Sequence, residues 1–103
     1  MASLSTHVLD TARGRPATGV PVRLLDASGS ALGDGVTDGD GRIGSLGDGL
    51  APGVYTVRFD VATYLPDGFY PEVAVTFTVA SGEEHYHVPL LLSPFGYSTY
   101  RGS

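Results

Sequence analysis

His7, His85 and His87 are the side chains of this chain that take up and release a proton near neutral pH, and they come with six basic residues, all arginine. Histidine as a base and arginine as a permanent cation for a developing oxyanion are the parts needed to add water to a carbonyl group. Covalent catalysis has little support, because there is no Gly-x-Ser-x-Gly elbow, no cysteine, and no serine that pairs convincingly with a histidine and an aspartate. Water is the expected nucleophile, and His7, His87, Arg42 and Arg101 are the available groups. Three histidines also admit a zinc reading, with His85 and His87 on one strand face and His7 as the third ligand of an open hydrolytic site. Against it, alternate histidines in a strand are commonly solvated or hydrogen-bonded structural residues, and no adjacent carboxylate is placed to orient them. No metal is expected. Spacing alone does not bring the histidines and arginines together, and a strand histidine or a loop arginine is often purely structural.

The elements that must position these residues read as strands. From Glu84 to Ser103 the chain reads as two strands around the turn Ser93-Pro94-Phe95-Gly96. Alternation puts His85, His87, Pro89 and Leu91 on one face and Tyr86, Val88, Leu90 and Leu92 on the other. After the turn, Tyr97, Thr99 and Arg101 alternate with Ser98, Tyr100 and Gly102. Leu4 to Asp10 alternates too, with Leu4, Thr6 and Val8 facing opposite to Ser5, His7 and Leu9. Thr11 to Gly19 reads as an irregular loop. Val20 to Leu25 is a second strand, in which Pro21 argues for a strand start or a sheet edge. Asp26 to Ser30 is a turn, and Ala31 to Thr37 a weak strand.

Thr37 to Gly53 is the most glycine-rich stretch and is expected to hold a short strand around Arg42 and otherwise loop. Val54 to Val61 has the clearest period of two, with Tyr55, Val57, Phe59 and Val61 toward a core. Ala62 to Gly68 has room for one helical turn before Pro66, and Val73 to Val79 is another strand. Ser81-Gly82-Glu83-Glu84 is expected to close a hairpin onto the His85 strand. Seven to eight short strands with at most one short helix predict an all-β, two-sheet sandwich formed by residues 1–103 as a single domain.

Two glycine motifs read as turns. Gly39-Asp40-Gly41-Arg42-Ile43-Gly44 formally matches a dinucleotide fingerprint, but Ser45-Leu46-Gly47-Asp48-Gly49 cannot continue as the helix that the fingerprint needs. Asp38-Gly39-Asp40-Gly41 begins like a calcium loop, yet Arg42 stands where an oxygen ligand belongs and no glutamate closes it. Aspartate and glycine are chosen there for turn geometry.

Composition narrows the function classes. With 103 residues the chain is long enough for one core but near the size at which association supplements stability. A net charge of -5 and singly scattered arginines exclude a basic stripe for nucleic acid. The first residues show no basic region ahead of an apolar run, and no stretch reaches membrane-spanning length, so a soluble cytoplasmic protein is expected.

Tyr100-Arg101-Gly102-Ser103, the run His85 to Ser93 and Ser5-Thr6-His7-Val8-Leu9-Asp10 resemble the transthyretin-like 5-hydroxyisourate hydrolases of purine breakdown, and the terminal tetrapeptide is the most specific part of the likeness. The resemblance covers nearly the whole chain. It implies a transthyretin-like (prealbumin-like) sandwich whose functional residues fall on His7, Arg42, His87 and Tyr100, Arg101, Gly102 and Ser103. It assigns His85 no catalytic role. It implies a homotetramer, a dimer of dimers around a channel whose mouths are the active sites, with no cofactor. Two departures stand out: Ala62 to Gly68 is shorter than the helix-bearing loop usual in the family, and the glycine-rich Thr37 to Gly53 implies a more mobile Arg42. If the tail enters the site, Arg101 is expected to anchor it, Gly102 to allow a close backbone approach, and the Ser103 carboxylate to lie near the histidines.

The segments around Val20, Thr37 and Val54 also resemble non-catalytic sandwich modules, which lack the histidine strand and the Tyr-Arg-Gly-Ser ending. The other alternative is a small-ligand carrier like transthyretin itself. A hormone channel needs an apolar lining, whereas His7, His87, Arg42 and Tyr100 would make this one polar and crowded.

Overall fold

A computed structural model describes residues 2–80, 82 and 84–103. Two sheets face each other across one apolar core. The first is centred on β1 (Ala2–Asp10), which pairs along one edge with β5 (Arg42–Leu50) and the two-residue β2 (Arg15–Pro16), and along the other with β8 (His85–Leu92); β9 (Tyr97–Thr99) follows β8. The second sheet runs in the order β4 (Ala31–Val36), β3 (Pro21–Leu25), β6 (Gly53–Asp60), β7 (Glu72–Val79).

The period of two decides which face of each strand is buried. In β1 every second residue from Ala2 to Asp10 is buried, and β8 buries Tyr86, Val88, Leu90 and Leu92. These meet Leu24, Val57 and Phe59 of the opposite sheet. Each fully buried Leu or Phe contributes about 1.5–3 kcal/mol relative to exposure, so the inward rows hold the sheets together. Thr6 interrupts the apolar row of β1, but its hydroxyl donates to the Val88 carbonyl at 2.6 Å. Asp10 is buried as well; it accepts from the Tyr64 hydroxyl at 2.7 Å and from the amides of Ala12 and Arg13.

Several sequence expectations need correction. Ser81 to Glu84 does not close a hairpin, because β7 lies at the edge of the second sheet while β8 pairs with β1 and β9 in the first. Ser81 and Glu83 themselves lie outside the described residues. A polar Ser-Gly-Glu-Glu stretch suits a hairpin or an inter-sheet connection equally, and the burial of β8 against β1 selects the second.

The glycine-rich segment is also more ordered than expected. β5 spans nine residues and follows β1 through two register shifts, with Ala2 opposite Leu50, Leu4 opposite Gly47 and His7 opposite Arg42. A β-carbon at position 47 would press on Cδ2 of Leu24, so that buried side chain would have to shift to admit one. Bulges let a strand poor in β-formers follow its neighbour.

The loop after β1 contributes the short β2, which raises the strands among the described residues to nine. The single helical turn, α1 (Val61–Tyr64), starts one residue early, because the Asp60 side chain caps it by accepting from the amide and hydroxyl of Thr63.

Candidate active site

The outward face of β5, β1 and β8 gathers the histidines. Parallel pairing sets Ser3 beside His85, Ser5 beside His87 and His7 beside Pro89, while on the other edge of β1 His7 lies opposite Arg42. His7 and His87 therefore stand one diagonal step apart on neighbouring strands, which are about 4.8 Å apart. Arg42 is brought there by the turn before β5. The Asp38 carboxylate accepts from the amides of Asp40 at 2.9 Å and Arg42 at 3.0 Å, and Gly41 takes the left-handed conformation, φ 73°, that closes the turn.

Serines bind the histidines from behind. The Ser5 hydroxyl lies 2.7 Å from Nδ1 of His87 and 2.8 Å from Nε2 of His85, and Ser3 Oγ lies 2.6 Å from Nδ1 of His85. With Nδ1 engaged, Nε2 is the nitrogen of His87 left for substrate or water. Burial first, then the Arg42 guanidinium, and then the His7 and His85 rings whenever they carry a proton, push His87 below the ordinary histidine value, while Ser5 pulls weakly the other way. A neutral imidazole, the form that accepts a proton, is thereby favoured. Asp38 is held below the usual carboxylate value by the amides of Arg42 and Asp40, with the charges of Arg42 and His7 adding to them. An acidic group thus borders the cationic side of the site.

The tail folds back over β8. The Gly102 amide donates to the His87 carbonyl at 2.8 Å, fixing the chain end against the histidine strand. Arg101 reaches Glu84 at 3.3 Å and lays its guanidinium 4.6 Å from the centre of the Tyr86 ring, so it is tied to the start of β8. Tyr100 is exposed and, with His87, Thr99 and Arg101, borders a cavity of about 340 Å³ whose apolar wall includes Val75 and Phe77 of β7. Neither His7 nor Arg42 lines this cavity. Ser103 is exposed at the end of the tail. Among the described residues no three His, Asp or Glu side chains are grouped so as to hold a metal ion.

His7, Arg42, His87 and Gly102 thus converge from four separate segments. Ser5 and Asp38 were missed by sequence reasoning. Asp38 could have been found from the turn motif beside Arg42, whereas Ser5 becomes visible only through the parallel register that sets it beside His87.

This is a transthyretin-like sandwich that carries histidines and an arginine on one sheet face. The chain belongs to the HIUase/Transthyretin family, whose model matches residues 4–102. It is 49% identical over 109 residues to 5-hydroxyisourate hydrolase of Salmonella dublin, covering 97% of this chain and 80% of that protein. It is 46% identical over 119 residues to the uric acid degradation bifunctional protein TTL of Arabidopsis thaliana; 97% of this chain is covered, and it spans only 37% of the length of that relative. Among solved structures, 5-hydroxyisourate hydrolase of Klebsiella pneumoniae superposes with a TM-score of 0.91 at 36% identity, with 100% of each chain covered.

Proposed function

We propose that this chain, acting as one domain, hydrolyses 5-hydroxyisourate in urate degradation and gives 2-oxo-4-hydroxy-4-carboxy-5-ureidoimidazoline. The observation that carries this reading is the convergence of His7, Arg42 and His87 on one sheet face in a chain of this family. One of the two histidines removes a proton from water as it adds to the lactam carbonyl. The other holds the substrate or the departing ring nitrogen, and Arg42 binds the carbonyl oxygen as negative charge develops on it. General-base assistance contributes roughly 10²–10⁴-fold, and positioning by the Tyr100 to Ser103 tail adds to it. The reaction as written needs water and no cofactor.

The working form is a homotetramer, a dimer of dimers, in the cytoplasm. What supports assembly is the location of the site on an open sheet face and the exposed aromatic surface around the turn after β8. Phe95, 81% exposed, tips the β8 to β9 turn, and Phe69, 68% exposed, begins an edge-to-face row through Tyr70 to Tyr97. Exposed apolar groups in such number are characteristic of an interface. No helix of the described chain is long and apolar enough to cross a membrane.

The test is to generate hydroxyisourate from urate with urate oxidase and follow its absorbance with and without the protein. Acceleration over spontaneous decay is expected. An unchanged rate would overturn the enzyme reading, and tight binding of a small ligand without turnover would favour a carrier. Sedimentation is expected to give about four times the chain mass; a fully active monomer would overturn the shared site.

A further inference from the structure

We propose that Ser5 and His85 form a proton relay behind His87, which moves onto exposed His85 the positive charge that base catalysis would otherwise leave on His87. The inference rests on the hydrolytic reading above and assigns the role of base within it. Its ground is a continuous chain of short contacts from His87 Nδ1 to Ser5 Oγ, from Ser5 Oγ to His85 Nε2, and from His85 Nδ1 to Ser3 Oγ. A hydroxyl has one proton to donate. Ser5 can therefore donate to only one of its two histidines while it accepts from the other, and the tautomers of His85 and His87 are linked through it.

The surroundings set the direction. His87 is half-buried beside Arg42 of β5 and His7 of β1, with Tyr100 and Arg101 of the tail close by, and burial first and then the Arg42 charge disfavour its charged form. His85 is exposed to solvent, so a proton arriving there sits on a hydrated ring rather than on a half-buried one.

In the starting state His87 Nδ1–H donates to Ser5, Ser5 donates to His85 Nε2, and His87 Nε2 is free. As the water oxygen bonds to the lactam carbon, a water proton passes to His87 Nε2. The Nδ1 proton moves to Ser5, and the Ser5 proton moves to His85 Nε2. An oxyanion and a His85 imidazolium result, with His87 neutral throughout. When the carbon–nitrogen bond breaks, His87 gives its Nε2 proton to the departing nitrogen and the relay runs back, restoring all three groups. The new carboxylic acid then releases its proton to solvent, so atoms and charge balance.

The test compares wild type with Ser5→Ala, Ser5→Thr and His85→Asn, all on the outward face and clear of the core. Expected for Ser5→Ala and His85→Asn is a loss in kcat of about tenfold to 10²-fold with KM little changed, in line with general-base contributions. Ser5→Thr, which keeps the hydroxyl, is expected to retain most of the rate, and added imidazole to restore His85→Asn. A His85→Asn protein with wild-type kcat and pH profile would overturn the relay. A second measurement needs no substrate: titrating His85 is expected to move the ¹⁵N resonance of His87 Nδ1 in wild type and not in Ser5→Ala. Independent titration in wild type would also overturn it. If wild type failed to accelerate ring opening while the two titrations stayed linked, the hydrolase reading would fall and the relay would stand.

Discussion

Gly102 lies directly against His87: its amide holds the His87 carbonyl, and a β-carbon on it would stand 2.5 Å from the ring carbon Cδ2. Its φ lies outside the left-handed range, so the requirement for glycine is one of space. Gly102→Ala is expected to displace the imidazole or the tail and to lower kcat by on the order of 10²-fold, as small misplacements of catalytic groups do. Because Gly102 is outside the core, the thermal midpoint should hardly move. Unchanged kcat would mean that the tail does not position His87.

His7→Ala, Arg42→Ala and His87→Ala are each expected to reduce kcat/KM by roughly 10²–10⁴-fold with the sandwich intact. All three side chains project from the outward face, and the inward rows of β1 and β8 are untouched. Arg42→Lys should recover little, since a point charge does not reproduce the planar fork that grips a carbonyl or carboxylate. Circular dichroism checks the fold, and hydroxyisourate decay checks the rate. A variant among the three alanine substitutions with normal turnover would remove that residue from the mechanism.

The lowered His87 pKa has a definite sign in the pH profile. The neutral base persists to more acidic pH, so the acid limb of kcat/KM is expected below the ordinary histidine value of 6.5. In Arg42→Ala one of the cations responsible is gone, and the His87 titration followed by NMR should rise toward that value without reaching it, because burial remains the largest cause. The same group makes stability fall with falling pH: below 6.5 the unfolded chain binds the proton that folded His87 resists. A His87 titration that ignored Arg42 would contradict their proximity.

Asp10 and Tyr64 tie the end of β1 to α1. Burial raises the Asp10 pKa, but hydrogen bonds from Tyr64 and from the amides of Arg13 and Ala12 outweigh it, and the carboxyl sits below its usual value. Its stabilisation is present above the unfolded carboxylate pKa and is lost as pH falls through the folded one. Tyr64→Phe removes one hydrogen bond to a charged acceptor and is expected to cost about 1.5–3 kcal/mol at neutral pH. It should also shift acid unfolding to higher pH. Denaturant titrations at neutral and acidic pH give both readings; equal stability would show that water replaces the phenol.

The residue pattern by itself determined which side of each strand faces the core, because alternation is local: Leu4, Thr6 and Val8, or Tyr86, Val88 and Leu90, must share a face wherever the strand lies. Turn chemistry was equally local, and Asp38 to Gly41 read as a turn from its side chains alone. That His7, Arg42, His87 and the tail act together was an expectation from family likeness, which local pattern alone did not supply. Partner and register were decided by the tertiary structure, because they depend on burial summed over distant segments. Alternation says that Ser5 and His87 each point outward, but only the parallel seam between β1 and β8 puts them 2.7 Å apart. For the same reason β5 looked like loop: its glycines carry little strand preference of their own, and the free edge of β1 supplies the order.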